Sequence, residues 1–289
     1  MPSINLAGRP IAITGASSGI GLATALACAA AGMPVALGAR RLDRLEAAAS
    51  LIRSRGGLAV VVETDVTNPN DCRALVARTI AEFGSVYSVF ANAGFGLELP
   101  IHKTSDAEMR AIFETNFFGT LNTIHPAVDH MLAAGTGHVL ICSSCLAKLS
   151  IPRFGAYCAT KAAQDHIGRA MRVELKESGI HVSTVHPVLT STEFSEKRRG
   201  GGPESAPALR PPQALIQPPE RVADAIVRCL RRPWGEVWTS TPTRLLFALA
   251  DAAPSLTDWL LVRRESRGSR GVNSPDSESR ATRNGSMPS

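Results

Sequence analysis

Short apolar runs and longer amphipathic stretches alternate along most of the chain. The apolar runs fall at Ile11–Thr14, Val35–Ala39, Ala59–Glu63, Val86–Ala91, His138–Ser143, His181–His186 and Glu236–Thr239. Several are apolar at nearly every position rather than at every second one, the pattern of strands covered on both faces. Between them, helical spacing of apolar residues predicts helices over Leu22–Ala31, Leu42–Arg53, Asn70–Phe83, Ser105–Phe118, Ala156–Glu177 and Pro219–Arg232. Ser105-Asp106-Ala107-Glu108 has the form of a capping box and marks one helix start. Strand and helix in alternation predict βαβ units and a doubly wound parallel sheet of about seven strands, with helices on both faces.

The rhythm breaks at 193–219. There a charged stretch, Glu193 to Arg199, gives way to Gly200-Gly201-Gly202-Pro203 and then to Pro211, Pro212, Pro218 and Pro219. A long irregular segment inside a compact domain is usually a lid, a binding loop or disorder. Two apolar stripes, Arg244–Ala250 and Leu256–Val262, predict a pair of short amphipathic helices divided by Pro254. The division expected is a catalytic domain over 1–240 containing 193–219, a helical extension over 241–264, and a disordered tail over 265–289.

Composition narrows the class. A hydrophobic content of 44% over 289 residues suits one large domain with a sizeable core. The net charge of +6 is uneven, since the stretch 263–289 holds six arginines against three acids. It lacks aromatics and an apolar face, so the expectation is a solvated end rather than a nucleic-acid site. The cysteines at 28, 72, 142, 145, 158 and 229 are scattered through predicted elements, not spaced as a disulfide framework. Together with the lack of a signal-like start and of eighteen uninterrupted apolar residues, this gives the cytoplasm as the expected location. The seven histidines show no metal-ligand spacing, so no metal is expected.

Two motifs carry chemistry. Thr14-Gly15-Ala16-Ser17-Ser18-Gly19-Ile20-Gly21 lies between a predicted strand and a predicted helix. Small residues there let the backbone approach a pyrophosphate, and the helix start offers free N–H groups and partial positive charge. Farther on, Tyr157 and Lys161 stand four residues apart on one predicted helix face. A lysine beside a tyrosine favours the phenolate, so it is expected to lower the phenol pKa and make a proton donor for carbonyl and alcohol chemistry. Ser144 precedes this pair at a predicted strand end.

Thr14 to Gly21, the run Ala91-Asn92-Ala93-Gly94, Asn116, Ser144, Tyr157, Lys161 and the segment from Pro187 to Thr192 resemble the short-chain dehydrogenase/reductase family, over roughly residues 8–240. The resemblance implies a Rossmann-type fold and an oxidoreductase acting on a carbonyl/alcohol pair, with the segment 193–219 covering the substrate as a lid. It implies four catalytic residues: Ser144 to hold the carbonyl, Tyr157 to give the proton, Lys161 to stabilise the phenolate and bind ribose, and Asn116 to hold, through its backbone carbonyl, a water linked to Lys161. It further implies cofactor contacts from Gly15, Ser17, Ser18, Gly19, Ile20, Gly21, Asp65, Val66, Asn92, Ala93, Gly94, Pro187 and Thr192, besides Tyr157 and Lys161.

The family's cofactor-selecting position falls at Ala39, followed by Arg40 and Arg41. With two guanidiniums and no carboxylate, a 2′-phosphate can be held by charge-assisted bonds, so NADP(H) is expected over NAD(H). Val188 stands where relatives carry glycine, which would strain a positive φ. Phe95, Leu97, Leu99, Leu149, Ile151 and Phe154 suggest a small apolar substrate. A homodimer or homotetramer is expected by analogy, with no nucleic-acid partner. The rival readings are a non-catalytic NADP-binding regulator and a peripheral membrane-associated lipid- or steroid-type reductase.

Overall fold

The computed structural model describes residues 3–191, 193 and 216–270, with side chains to Arg263. Seven parallel strands form one sheet in the order β3-β2-β1-β4-β5-β6-β7. They are β1 Ile11–Thr14, β2 Val35–Ala39, β3 Ala59–Glu63, β4 Ser88–Ala91, β5 Gly137–Cys142, β6 Ile180–His186 and β7 Glu236–Trp238. Their ends lie within about two residues of the sequence expectation. The register is in phase across the middle, where Ile11 pairs with Val35 on one side and Ser88 on the other. Every residue of β1, β2, β4 and β5 is buried, which is why these strands read as continuous apolar runs rather than alternating ones.

Helices cover both faces. On one face α1 (Gly19–Ala30), α2 (Leu42–Ser54) and α7 (Pro219–Arg231) bury Cys28, Leu45, Ile52, Val222, Ile226 and Leu230 against the sheet. On the other, α3 (Pro69–Phe83), α5 (Gly119–Ala134) and α6 (Gly155–Glu174) contribute Leu75, Val76, Ile124, Met131 and, at the margin, Met171. Burying a Leu- or Ile-sized side chain is worth about 1.5–3 kcal/mol, so these two apolar layers hold the sheet.

The stretch expected as one helix over Ser105–Phe118 is two elements. Ser105 caps α4 (Asp106–Phe113) in a complete capping box with Glu108. A π-helical turn, Glu114–Phe118, then leads directly into α5. The sequence reading ended its helix at Phe118 and missed α5, because Gly119, Asn122 and Pro126 are poor helix formers. Burial of Ile124, Ala127 and Met131 overrides that local preference.

Beyond β7, Ser240 caps α8 (Thr241–Ala252), and α9 runs Pro254–Arg270. The two are bent by 103° at their junction. The helix through Arg270 corrects the expectation of a disordered tail from 265, as far as that residue. The lid expected over 193–219 lies mostly outside the described residues.

Candidate active site

In a doubly wound sheet the crevice opens where strand order reverses, beyond the carboxyl ends of the strands. Here that point lies between β1 and β4. The turn after β1 holds Gly15 at φ 67°, a region that favours glycine. A Cβ there would lie 2.9 Å from Asn92 Nδ2, so the turn and the loop after β4 touch. Asn92 ties them together: its Nδ2 donates to Thr14 O at 3.0 Å, and its backbone N–H to Thr14 Oγ1 at 3.1 Å. Gly19, Ile20 and Gly21 form the first turn of α1, as a phosphate cradle requires. Ala93 follows Asn92 in the same loop, its N–H 3.4 Å from Thr14 Oγ1.

Ser18 is the N-cap of α1 but makes no side-chain cap bond. Instead the Arg41 guanidinium reaches the loop. Its Nη2 donates to Ser17 Oγ and Ser18 Oγ, both at 2.9 Å, and its Nη1 donates to a Glu193 carboxylate oxygen at 2.8 Å. Arg44 Nη1 bonds the other Glu193 oxygen. Two arginines thus hold one carboxylate, and one of them is itself anchored by two hydroxyls, a site chemically suited to an anion. Arg40 stands apart, largely exposed, 3.9 Å from Asp65 Oδ2. Asp65 turns its Oδ1 inward, accepting from Thr67 N and Thr67 Oγ1 in a local turn. Val66 is buried beside it, and its carbonyl accepts from Asn122 Nδ2.

The four residues expected to be catalytic come from three places in the fold: the π-helical turn, the end of β5 and α6. A Cβ on Gly94 would meet Asn116 Oδ1 at 3.0 Å and lie 3.8 Å from Lys161 Nζ. Asn116 sits in the π-helical turn, fully buried. Its side chain is anchored on both sides: Oδ1 accepts from Phe95 N at 2.9 Å, and Nδ2 donates to Phe95 O and Thr160 Oγ1. Single π turns recur at functional sites because they rotate one side chain out of helical register. Ser144 follows β5, and its Oγ accepts from Leu146 N at 3.1 Å. Tyr157 and Lys161 leave α6 on one face, with Nζ 5.6 Å from the phenol ring centroid.

The expected lowering of the Tyr157 pKa is not what the free protein shows. Burial pushes this phenol far above its ordinary value; the buried cysteines around it add to that, and the Ser144 hydrogen bond only partly opposes it. The Lys161 ammonium, 5.6 Å from the ring centroid, does not offset this; it donates to Cys142 O at 2.7 Å and Gln164 Oε1 at 2.8 Å. Burial pushes Lys161 down as well. The Asn116 carbonyl, expected to hold a water, accepts from Gln164 Nε2 at 2.6 Å and Thr120 Oγ1 at 2.8 Å.

Around Tyr157 lies a third apolar cluster of Leu97, Ile112 and Ala156, flanked by Phe95, Leu99 and Phe154. Outside it, a groove of about 490 Å³ runs between Ile101, Ile151 and Arg153 on one side and Leu261 and Val262 of α9 on the other. Arg153 has φ 69°, the only positive φ outside glycine among the described residues. Val188 therefore escapes the strain expected of it. Pro187 O accepts from Cys145 N at 3.1 Å, joining the loops after β5 and β6. Thr192 lies outside the described residues.

Two groups near the site were not evident from sequence. Gln164 is one, and its signal was available, since it continues the face of Tyr157 and Lys161. The other is a buried charge network behind Ser144. His186 Nδ1 is 3.1 Å from Ser144 O, and its Nε2 is 3.3 Å from Asp165 Oδ1. Lys148 Nζ donates to Asp165 Oδ2 at 2.6 Å and Glu236 Oε1 at 3.2 Å. Trp238 stacks on the His186 ring at 4.6 Å. Asp165, His186 and Glu236 bring ligand-type atoms within 4.8 Å of one another, but the Lys148 ammonium already bonds both carboxylates.

The family described as short chain dehydrogenase matches residues 9–201. Over 237 residues the chain is 36% identical to glycine betaine reductase of Emericella nidulans, an alignment covering 81% of this chain and 18% of that protein. Over 202 residues it is 37% identical to 11-beta-hydroxysteroid dehydrogenase 1A of Arabidopsis thaliana, covering 69% of this chain and 57% of that one. The chain thus spans well under two thirds of the length of either relative. Among solved structures, alcohol dehydrogenase from the archaeon Thermococcus sibiricus complexed with 5-hydroxy-NADP superposes with a TM-score of 0.70. It is 28% identical, and the match covers 79% of this chain and 94% of that one.

Proposed function

This chain belongs to the short-chain dehydrogenase/reductase family of NAD(P)-dependent oxidoreductases, and on that premise we propose that it prefers NADP(H) and interconverts a carbonyl and an alcohol on a small apolar substrate. The observation that carries the cofactor preference is Arg41 lying across Ser17 and Ser18 at the mouth of the glycine turn. Glu193 between Arg41 and Arg44 supports it, because a carboxylate there is held as a phosphate would be. The similar Thermococcus alcohol dehydrogenase, complexed with 5-hydroxy-NADP, points the same way. Gly15, Gly19, Gly21, Asn92, Ala93 and Gly94 would cradle the pyrophosphate and nicotinamide end, and Asp65 and Val66 would border the adenine.

The nicotinamide, when bound, supplies or takes up hydride. The chain's own groups handle the oxygen. Ser144 Oγ accepts from Leu146 N, which leaves its hydroxyl proton for Tyr157 in the free protein and for a substrate carbonyl once one is bound. Tyr157, protonated in the free protein, gives its proton to the oxygen as negative charge develops there. Lys161 stays close enough for its charge to favour the phenolate left behind. Asn116 holds the loop after β4 through both faces of its amide. The apolar wall around Tyr157, Leu97, Leu99, Phe95 and Phe154, supports an apolar substrate, as does likeness to a protein named as a hydroxysteroid dehydrogenase.

A homo-oligomer belongs to the same proposal; Phe118 beside α5 and Val173 on α6 are exposed apolar residues suited to a subunit contact. So does a cytoplasmic location, supported by six free, buried cysteines. Among the described residues no single helix is long and apolar enough to cross a membrane.

The cofactor test is Arg41→Ala, read by fluorescence titration with NADPH and NADH. Loss of a charge-assisted bond pair typically costs about 1.5–3 kcal/mol, so the NADPH Kd should rise about 10- to 100-fold while that for NADH stays within about threefold. A parallel loss for both cofactors, or a wild-type preference for NADH, would overturn the assignment.

A further inference from the structure

Gln164 lies three residues beyond Lys161 and seven beyond Tyr157, so all three side chains leave α6 on one face. It is fully buried and every bond of its amide is to a named partner. Oε1 accepts from Lys161 Nζ at 2.8 Å, and Nε2 donates to Asn116 O and to Thr120 Oγ1, both at 2.6 Å. The orientation of the amide follows from its neighbours. An ammonium can only donate and a backbone carbonyl can only accept, so the flipped amide would face like against like twice. Thr120 gives its own proton to Asn116 O at 2.8 Å, which leaves its oxygen free to accept from Gln164.

We propose that Gln164 is a positioning residue, a neutral strut that fixes Lys161 against Tyr157 and ties the pair to the π-helical turn carrying Asn116. The inference rests on the role given to Lys161 above. A lysine side chain has four rotatable bonds, and two fixed acceptors, Cys142 O and Gln164 Oε1, hold this one. The neutrality of the amide matters. A carboxylate at this position would pair with the ammonium and weaken its field at the phenol. An amide also keeps its donor and acceptor ends distinct, so it transmits position and not protons.

The test compares Gln164→Leu, Gln164→Ala and Gln164→Glu. Leucine approximates the shape but sets hydrocarbon against Lys161 Nζ and Asn116 O. Alanine leaves a polar void bounded by Lys161 Nζ, Asn116 O and Thr120 Oγ1, enough partners to hold a water. The strut predicts kcat in the order wild type, alanine, leucine. The leucine variant should fall about 10- to 100-fold, as for a reacting group misplaced by about an ångström, with NADPH Kd nearly unchanged. Without cofactor, the leucine variant should melt no higher than the alanine variant. Gln164→Glu should move the pH profile of kcat, because a carboxylate there keeps Lys161 protonated to higher pH while offsetting its field at the phenol.

A packing role would reverse the order, with leucine near wild type and alanine worst, and that result would overturn the proposal. So would an unchanged pH profile in Gln164→Glu. If Gln164→Leu does not fold, Gln164→Met carries the same expectation. Tyr157→Phe separates the two levels of the argument. Its collapse beside a fully active Gln164→Leu would sink the strut alone, whereas near-normal turnover in Tyr157→Phe would sink the function reading and the strut with it.

Discussion

In the free protein Tyr157 is a protonated phenol, because burial costs the phenolate more than its neighbours return. Tyr87, the only other tyrosine, is also pushed up by burial, with Arg9 partly offsetting it. An exposed phenol is half ionised near pH 10. Ultraviolet titration of the free protein should therefore show no tyrosinate step at that pH, and absorbance equal to one ionising tyrosine would contradict the burial account. Tyr157, Lys161 and Gly15 were legible in the sequence because each belongs to a motif whose geometry is local: one helix face, one tight turn. Gln164 and His186 were not. Gln164 shares the local face of Lys161, but its other partner Asn116 is 48 residues away, as Ser144 is 42 from His186, and only the assembled sheet brings these together. The same limit explains the error over Tyr157, since sequence shows the neighbouring lysine but not how deeply the phenol is buried.

At the scale of elements, the strands were legible because parallel central strands are apolar on both faces, whereas α5 was not. Its glycine, asparagine and proline argue against a helix, and only packing of Ile124 and Met131 reveals why one forms. The α8–α9 pair was anticipated from its apolar stripes, but not its exposure. Leu245, Leu246, Leu249, Leu256 and Leu260 are each more than half exposed, while Phe247 leans on Trp238 at 6.2 Å and Arg244 pairs with Glu236 at 3.5 Å. Deleting the chain from Arg244 onward therefore removes apolar surface as well as uncovering Trp238. It also strips Leu261 and Val262 from the groove opposite Ile101 and Ile151. Such a deletion should leave the NADPH Kd within about threefold, since the cradle lies at the β1–β4 reversal, and raise substrate KM by about 10-fold, on the order of one lost apolar contact set. Fluorescence titration and steady-state kinetics would check both. An unchanged KM would remove α9 from the substrate wall.

The whole molecule's response to acid follows from two buried groups. His138, bonded to Ser183 Oγ at 2.8 Å, is lowered to about 3 by burial, with His181 adding to the effect. Below about pH 6.5 the unfolded chain takes up a proton that the folded chain refuses. Stability is then full above that pH and falls by about 1.4 kcal/mol per unit as pH drops towards 3. Burial alone would raise Asp165, but the bonds from His186 and Lys148 outweigh it and hold its pKa well below the usual carboxylate range. Its contribution is present above about pH 3.8 and is lost on further acidification. Thermal melts should thus be flat from pH 8 to 7 and decline below about 6.5, and His138→Gln should flatten the upper part of that decline. The central claim concerns the chemistry of the molecule as a whole, and its most direct test is NADPH oxidation by Tyr157→Phe beside wild type, on a ketone or aldehyde that wild type reduces. The account predicts a fall of about 10²–10⁴ in turnover with NADPH binding retained. Turnover close to wild type would contradict it.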